Sequence, residues 1–253
     1  MKLSVHFALW SLASSLFIAP ATWSKTLTNS LTVDYQGQQF SQQFTQPFRL
    51  EPAMNTLLTQ QNWSTAKFDW LTSALFDVSA PYKLKTQVLT QIDQQIERAD
   101  NDSQRAQWQS LKKQLSFWQY AKRLFISLDP DNARVSPKDN PRLSGQWHAV
   151  LMSNPSHVWV LGGVERSGRY VWSARHGADY YLQHARPVAV ANDVAWVIQA
   201  DGSVEKHPIA YWNHQHRDIA PGAVIYLPMA SSVGGSHSDL NAVVVELLRN
   251  RMP

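Results

Sequence analysis

Val194-Ala195-Trp196-Val197-Ile198-Gln199-Ala200-Asp201-Gly202 is the stretch on which the fold class turns. Its first five residues are β-branched, aromatic or small and apolar, a composition that suits a strand. The chain then meets an Asp-Gly pair, in which glycine supplies the positive φ of a tight hairpin turn. The same pattern extends outward on both sides. His157-Val158-Trp159-Val160-Leu161 reads as a strand closed by Gly162-Gly163, and Ala220-Pro221-Gly222-Ala223 leads into the strand Val224-Ile225-Tyr226-Leu227-Pro228. The sequence up to about Pro228 is therefore β-rich.

Upstream the character differs. Asp129-Pro130-Asp131, Pro137 and Asn140-Pro141 punctuate a segment in which proline argues against helix and biases each preceding residue to extended geometry. Before it, three apolar patterns fall at helical spacing. Trp63, Ala66, Trp70, Leu71, Ala74 and Leu75 predict one amphipathic helix, and Pro81 ends it. Leu84, Val88, Ile92 and Ile96 predict a second. Trp108, Leu111, Leu115 and Trp118 predict a third, entered through Asn101-Asp102-Ser103 with Asp102 as N-cap. The short polar link between the second and third predicts an antiparallel helical hairpin. Thr26 to Phe48 reads as a β-hairpin, with Leu31-Thr32-Val33-Asp34-Tyr35 alternating and Gly37 at the turn.

Both ends carry signals of their own. Lys2, the apolar stretch Val5–Ile18 and the small residues around Ala19-Pro20-Ala21 and Thr22-Trp23-Ser24 form the three parts of a secretory leader, predicted over residues 1–24. At the other end Gly234-Gly235-Ser236 reads as a flexible break. Beyond it Leu240, Val243, Val244, Leu247 and Leu248 line one face of a helix over 237–253. Asp239 near its start and Arg249 and Arg251 near its end suit the helix dipole. That apolar face has three readings: a seat for a partner helix, a peripheral contact with a membrane surface, or packing on its own domain.

Composition narrows the chemistry. The 253 residues contain no cysteine, which removes disulfides, thiol catalysis and cysteine-based metal sites. The formal charge of +4, one less once Lys2 leaves with the leader, is scattered without a basic stripe and gives no nucleic-acid footprint. The 11 tryptophans suit core packing or stacking against sugar rings. No G-x-S-x-G, P-loop, H-E-x-x-H or dinucleotide fingerprint is present. His214 and His216 have the i, i+2 spacing of a metal pair in extended chain but no third histidine nearby, so they read as a polar loop. Asp129 and Asp131 flank a proline and could be paired carboxylates of a glycosidase, but read more simply as turn formers. Neither a cofactor nor a metal is expected.

Several blocks together resemble the capsule biosynthesis GfcC-like (YjbG-like) family. They are Leu128-Asp129-Pro130-Asp131, Asn140-Pro141-Arg142-Leu143, Val158 to Val164, Ala195 to Ile198 through Asp201-Gly202, Ala220 to Pro228, and Leu240-Asn241 through Arg249-Asn250-Arg251-Met252-Pro253. The resemblance implies an α+β chain of two β-grasp domains, similar to those of outer-membrane polysaccharide export proteins. The first would span 25–148 with a helical insertion over about 62–125, and the second 149–232, followed by the amphipathic helix. It implies a non-enzymatic periplasmic accessory of capsule or exopolysaccharide biosynthesis and export. Its partners would be the polysaccharide or the export machinery. The alternatives are a periplasmic glycan-binding module and, further off, a carbohydrate-active enzyme. Arg123 falls where the family pattern carries an arginine, and a guanidinium there suits a sugar carboxylate or phosphate. The leader reading is directly testable: mass spectrometry of the exported protein should find an N-terminus at Thr22 or Lys25, and an intact Met1 in the mature protein would overturn it.

Overall fold

The computed structural model describes residues 28–188, 193–229 and 237–252. The leader and the Gly234-Gly235-Ser236 break lie outside the described residues. In chain order, the first part contains β1 (Asn29–Tyr35), β2 (Gln38–Phe44), β3 (Phe48–Arg49), α1 (Leu50–Gln60), β4 (Asp69–Asp77), α2 (Leu84–Glu97), α3 (Asp102–Phe117), β5 (Lys122–Leu124), α4 (Pro130–Val135), β6 (Arg142–Leu143) and β7 (Gln146–Met152). The second contains β8 (His157–Gly162), β9 (Gly168–Val171), α5 (Ala178–Ala185), β10 (Val194–Ile198), β11 (Val204–Pro208), β12 (Val224–Leu227) and α6 (His237–Arg249).

Two five-stranded sheets repeat one plan. The first has the order β2-β1-β7-β4-β5 and the second, read from its other edge, β9-β8-β12-β10-β11. In each a hairpin comes first, a helix follows, two more strands pair on the far side, and the last strand returns to the centre. That last strand lies parallel to the first in both sheets, β7 beside β1 and β12 beside β8. Because β7 is the central strand of the first sheet, this unit runs to Met152, past the boundary expected at 148.

Three stretches differ from their sequence reading. Residues 69–77 form β4, where a helix was expected from Trp63 to Leu75. Leu75 faces the core under α1, while Ala74 and Phe76 face the opposite side of the sheet. A strand buried on both faces is an unbroken apolar run, and periodicity alone does not separate it from a helix. The helix that does exist there is α1, which buries Ala53, Met54, Leu57 and Leu58 against β1 and tolerates Pro52 in its first turn. Pro130 starts α4 rather than excluding helix: Asp129 Oδ1 caps it by accepting the Asp131 N–H at 2.9 Å, and a proline at the first helical position loses no needed hydrogen bond. Within the stretch read as β lies α5, which buries Tyr181, Leu182 and Ala185. The α3 cap is likewise one residue earlier than expected, with Asn101 Oδ1 accepting from Gln104 N at 2.9 Å.

The helical hairpin is inserted between β4 and β5 as α2 and α3, a shorter span than the 62–125 expected, and it covers the second sheet. Strand alternation sends Val158, Val160, Ala195, Val197, Ile225 and Leu227 toward α5. It sends Leu161, Ile198, Val224 and Tyr226 the other way, onto Val88 and Ile92 of α2, Trp108, Leu111 and Leu115 of α3, and α6. Of the three readings of the α6 face, packing on the chain itself is the one that its burial matches. Leu240, Val244, Leu247 and Leu248 are buried in this shared core, and Val243 packs at its edge. The chain after α6 is tied down too. Ala121 N donates to Asn250 O at 3.1 Å, and Met252 N donates to Gln119 O at 2.9 Å. Asn250 Oδ1 takes the Arg123 amide at 2.8 Å while its own Nδ2 reaches Glu246 O.

Each such apolar side chain contributes about 1.5–3 kcal/mol when buried, so α6 holds a large share of a marginal stability. Leu247→Ala should cost about 2–5 kcal/mol, read from urea denaturation midpoints. A chain ending at residue 239 should lose its cooperative transition altogether; a truncated chain that unfolds like the full one would refute this packing.

Candidate functional site

The return of the chain from α3 into β5 runs between the two sheets, and the side chains it carries meet the β10–β11 turn. β5 pairs with β4 so that Arg123 lies opposite Phe76. Its guanidinium crosses to the second sheet and donates from Nη2 to Ala200 O at 2.9 Å. The ring of Phe125 lies beneath two arginines, 5.6 Å from the Arg123 guanidinium carbon and 4.3 Å from that of Arg249. Arg249 donates from Nε to Gly202 O at 2.9 Å and from Nη1 to Glu246 Oε2 at 2.8 Å. Gly202 has φ +86°, and a Cβ there would stand 2.5 Å from Phe125 Cε1. The Asp-Gly pair thus makes the turn and also seats it on an aromatic ring.

Arg123 serves first as a clamp between the two sheets. Its Nε is buried without a partner. Burial pushes its pKa down to about 10; the nearby Asp201 carboxylate works against this, and the Arg249 charge adds to it. The side chain also lines two cavities, of about 640 Å³ and about 630 Å³. The first mixes charges, with Lys138 and Arg249 among Asp129, Asp139 and Asp201.

The second cavity is cationic and aromatic, and sheet register builds it. Trp159 of β8 pairs directly with Arg169 of β9, and His157 with Val171, so that all four side chains leave the same face. Arg251, just past α6, places its guanidinium 4.7 Å from the Trp118 ring and 5.9 Å from the Trp159 ring. Arg169 stands 6.0 Å from the Trp159 ring. Phe117 lies at the rim, 83% exposed. Asp34 is the one acid among the lining residues. It is already engaged, its Oδ1 accepting from Gly37 N and its Oδ2 from Gln39 Nε2.

Two histidines of this cavity are held toward the neutral form. His148 Nε2 lies 3.8 Å from Asp34 Oδ2, too far for a hydrogen bond, and has no partner. Burial lowers its pKa below the usual 6.5, and the Asp34 charge only partly opposes this. His157 is lowered by burial first, then by the charges of Arg169 and Arg251. Arg251 itself is pushed down to about 10 by burial, opposed by Tyr120 and reinforced by Arg123.

The other sequence candidates lie elsewhere. Asp129 caps α4, and Asp131 pairs with Arg134 at 3.2 Å. His214 and His216 diverge, the first to Asp179 and the second to Asp218, each at 3.2 Å. Among the described residues no three potential ligands gather to hold a metal ion. Sequence reasoning named Arg123 but passed over Trp159, Arg169, His148 and His157. The signal for the Trp159–Arg169 pair is cross-strand register, which single-chain reading does not supply.

The lowered His148 pKa has a sign that can be checked. The unfolded chain takes up a proton near pH 6.5 while the folded chain resists, so stability falls as pH drops below that value. Denaturant midpoints measured from pH 7.5 to pH 5 should fall more steeply for the wild type than for His148→Gln; parallel curves would mean that His148 is not held neutral.

Two family models match the chain. The capsule biosynthesis GfcC N-terminal model covers residues 28–152, and the GfcC C-terminal model covers residues 166–253. Between them they take in each sheet in turn, apart from β8. YjbG of Escherichia coli (strain K12), described as an uncharacterised protein, is 34% identical over 146 residues. That match spans 57% of this chain and 60% of the relative.

Proposed function

The chain belongs to the capsule biosynthesis GfcC family, and from that premise we propose that it is a non-enzymatic periplasmic accessory that holds a glycan segment during capsule or exopolysaccharide assembly and export. The observation that carries the reading is the cavity between the sheets, where Trp159 and the exposed ring of Phe117 offer apolar faces beside two arginines. A pyranose presents a C–H face that suits an aromatic plane, and its hydroxyls suit the surrounding donors. Each sheet, with its crossing helix and its last strand returning parallel to the first, reads as a β-grasp unit. The shared core of α2, α3 and α6 on the second sheet joins the two units beside the cavity.

The periplasmic location rests on the leader read over residues 1–24. The non-enzymatic reading is supported by the structural employment of Asp129 and Asp131, the carboxylates weighed from the sequence as a glycosidase pair. Nucleic acid is no partner in this reading, because the basic residues form no stripe. The sequestration of the α6 apolar face leaves the cavity, rather than that helix, as the point of contact with polysaccharide.

In a strain that makes the polymer, clean deletion of the gene should reduce surface polysaccharide, and the full chain supplied in trans should restore it. The chain lacking residues 1–24 should accumulate but fail to restore it. Normal polymer in the deletion strain would overturn the proposed role, and full rescue by the leaderless chain would overturn the location.

A further inference from the structure

Among the described arginines, those withdrawn from solvent are almost all engaged. Arg105 pairs with Asp102 and Arg249 with Glu246, Arg123 donates to Ala200 O, and Arg217 donates to Lys206 O. Arg251 is the exception, a partly buried guanidinium with no hydrogen bond and no ion pair among the described residues, set 4.7 Å from the Trp118 ring and 5.9 Å from the Trp159 ring, which themselves meet edge to face. The two rings attract its charge and supply no acceptor in the guanidinium plane, so its N–H donors are without a partner among the described residues. A cation drawn from water without an anion is costly, and a fork of five N–H groups is the shape that takes a carboxylate or phosphate bidentately.

A second unpaired guanidinium stands by the same indole. Arg169 is placed there by the Trp159–Arg169 register, and it too forms no ion pair or hydrogen bond. His157, lowered first by burial, is lowered further by the charges of both arginines, in keeping with their place on one cavity wall. The acid of the cavity, Asp34, is tied to Gly37 and Gln39 and lies beside His148. The charge of Asp34 stands alone against Arg123, Arg169 and Arg251, so the described lining of the cavity is net positive next to an aromatic side chain.

We infer that Arg169 and Arg251, gathered around Trp159, form a subsite for an anionic sugar unit, one bearing a carboxylate or a phosphate. The subsite takes the acidic group on the two guanidinium edges while the sugar ring lies toward Trp159 and Phe117. This places the anion on Arg169 and Arg251 rather than on Arg123, which already donates from Nη2 to Ala200 O. The inference rests on the glycan-holding reading of the cavity and specifies what kind of glycan it selects.

The test uses the full mature chain and three probes: tetragalacturonate, glucose 1-phosphate and neutral maltotetraose. Binding is followed by calorimetry and by quenching of tryptophan fluorescence. An acidic probe should bind at least about tenfold more tightly than maltotetraose, and Arg169→Gln or Arg251→Met should weaken it about tenfold each, the loss of one charge-assisted contact. The affinity should also fall with added salt. Preference for tetragalacturonate or for glucose 1-phosphate supports the subsite in either case and names the source of the anion. Arg175→Gln, on the exposed surface outside the cavity, should bind like the wild type. Arg169 is exposed, so its substitution leaves the fold intact and carries the test even if Arg251→Met disturbs the tail. Maltotetraose binding as tightly as the acids, unaffected by either substitution, would overturn the anionic subsite while the glycan-holding reading stands. Acidic-probe binding that neither substitution weakens would also overturn it, and failure of all three probes would overturn both.

Discussion

A sheet that is apolar on both faces needs two covers, and the second sheet here borrows part of one of them from the first unit. Local chain provides α5 for one face. The other face, with Leu161, Ile198, Val224 and Tyr226, is covered by α6, which follows β12, together with the hairpin that departs the first sheet after β4. Everything distinctive about the molecule follows from that debt. The two sheets are held together because the hairpin is anchored in one and spent on the other. Arg123 and Phe125 meet the β10–β11 turn because β5 resumes the first sheet next to the face just covered. The cationic cavity forms where this cover stops short, leaving the β8–β9 edge with Trp159 and Arg169 beyond the helices.

Much of this was legible in residue patterns, and the failures have identifiable causes. The hairpin at Asp201-Gly202, the strands at 157–161 and 224–228, and the helices α2, α3 and α6 each advertise themselves by local chemistry: a positive-φ glycine, a short apolar run, or a clean 3.6-residue stripe. β4 did not, because burial on both faces removes the alternation by which strands are recognised. α4 was hidden by a proline that helices accept at their first position, and α5 by lying among strand-like neighbours. The two sheets share a plan with no visible sequence repeat, since a strand order constrains only which residues face inward and not which ones they are.

The site was less legible than the fold for a related reason. Arg123 drew attention by its place in a family pattern, and the structure gives it a role in joining the sheets. Trp159 and Arg169 lie on different strands, Trp118 ends the hairpin and Arg251 follows α6. Nothing in their sequence spacing announces that they converge. The apolar stripe of α6 posed the opposite problem, an evident feature with three open readings; it packs into the chain's own core.

The lateness of α6 in the chain has a consequence for how the molecule comes into being. Val88 and Leu247 belong to one core, yet nearly the whole second unit is synthesised between them. During vectorial emergence, from a ribosome or through a membrane pore, the hairpin and the exposed sheet face must wait, wet and unsealed, until the final helix arrives. Completion is thus a single late event rather than a sequence of finished modules, and the interval before it is the chain's window of vulnerability to chaperones, proteases and self-association.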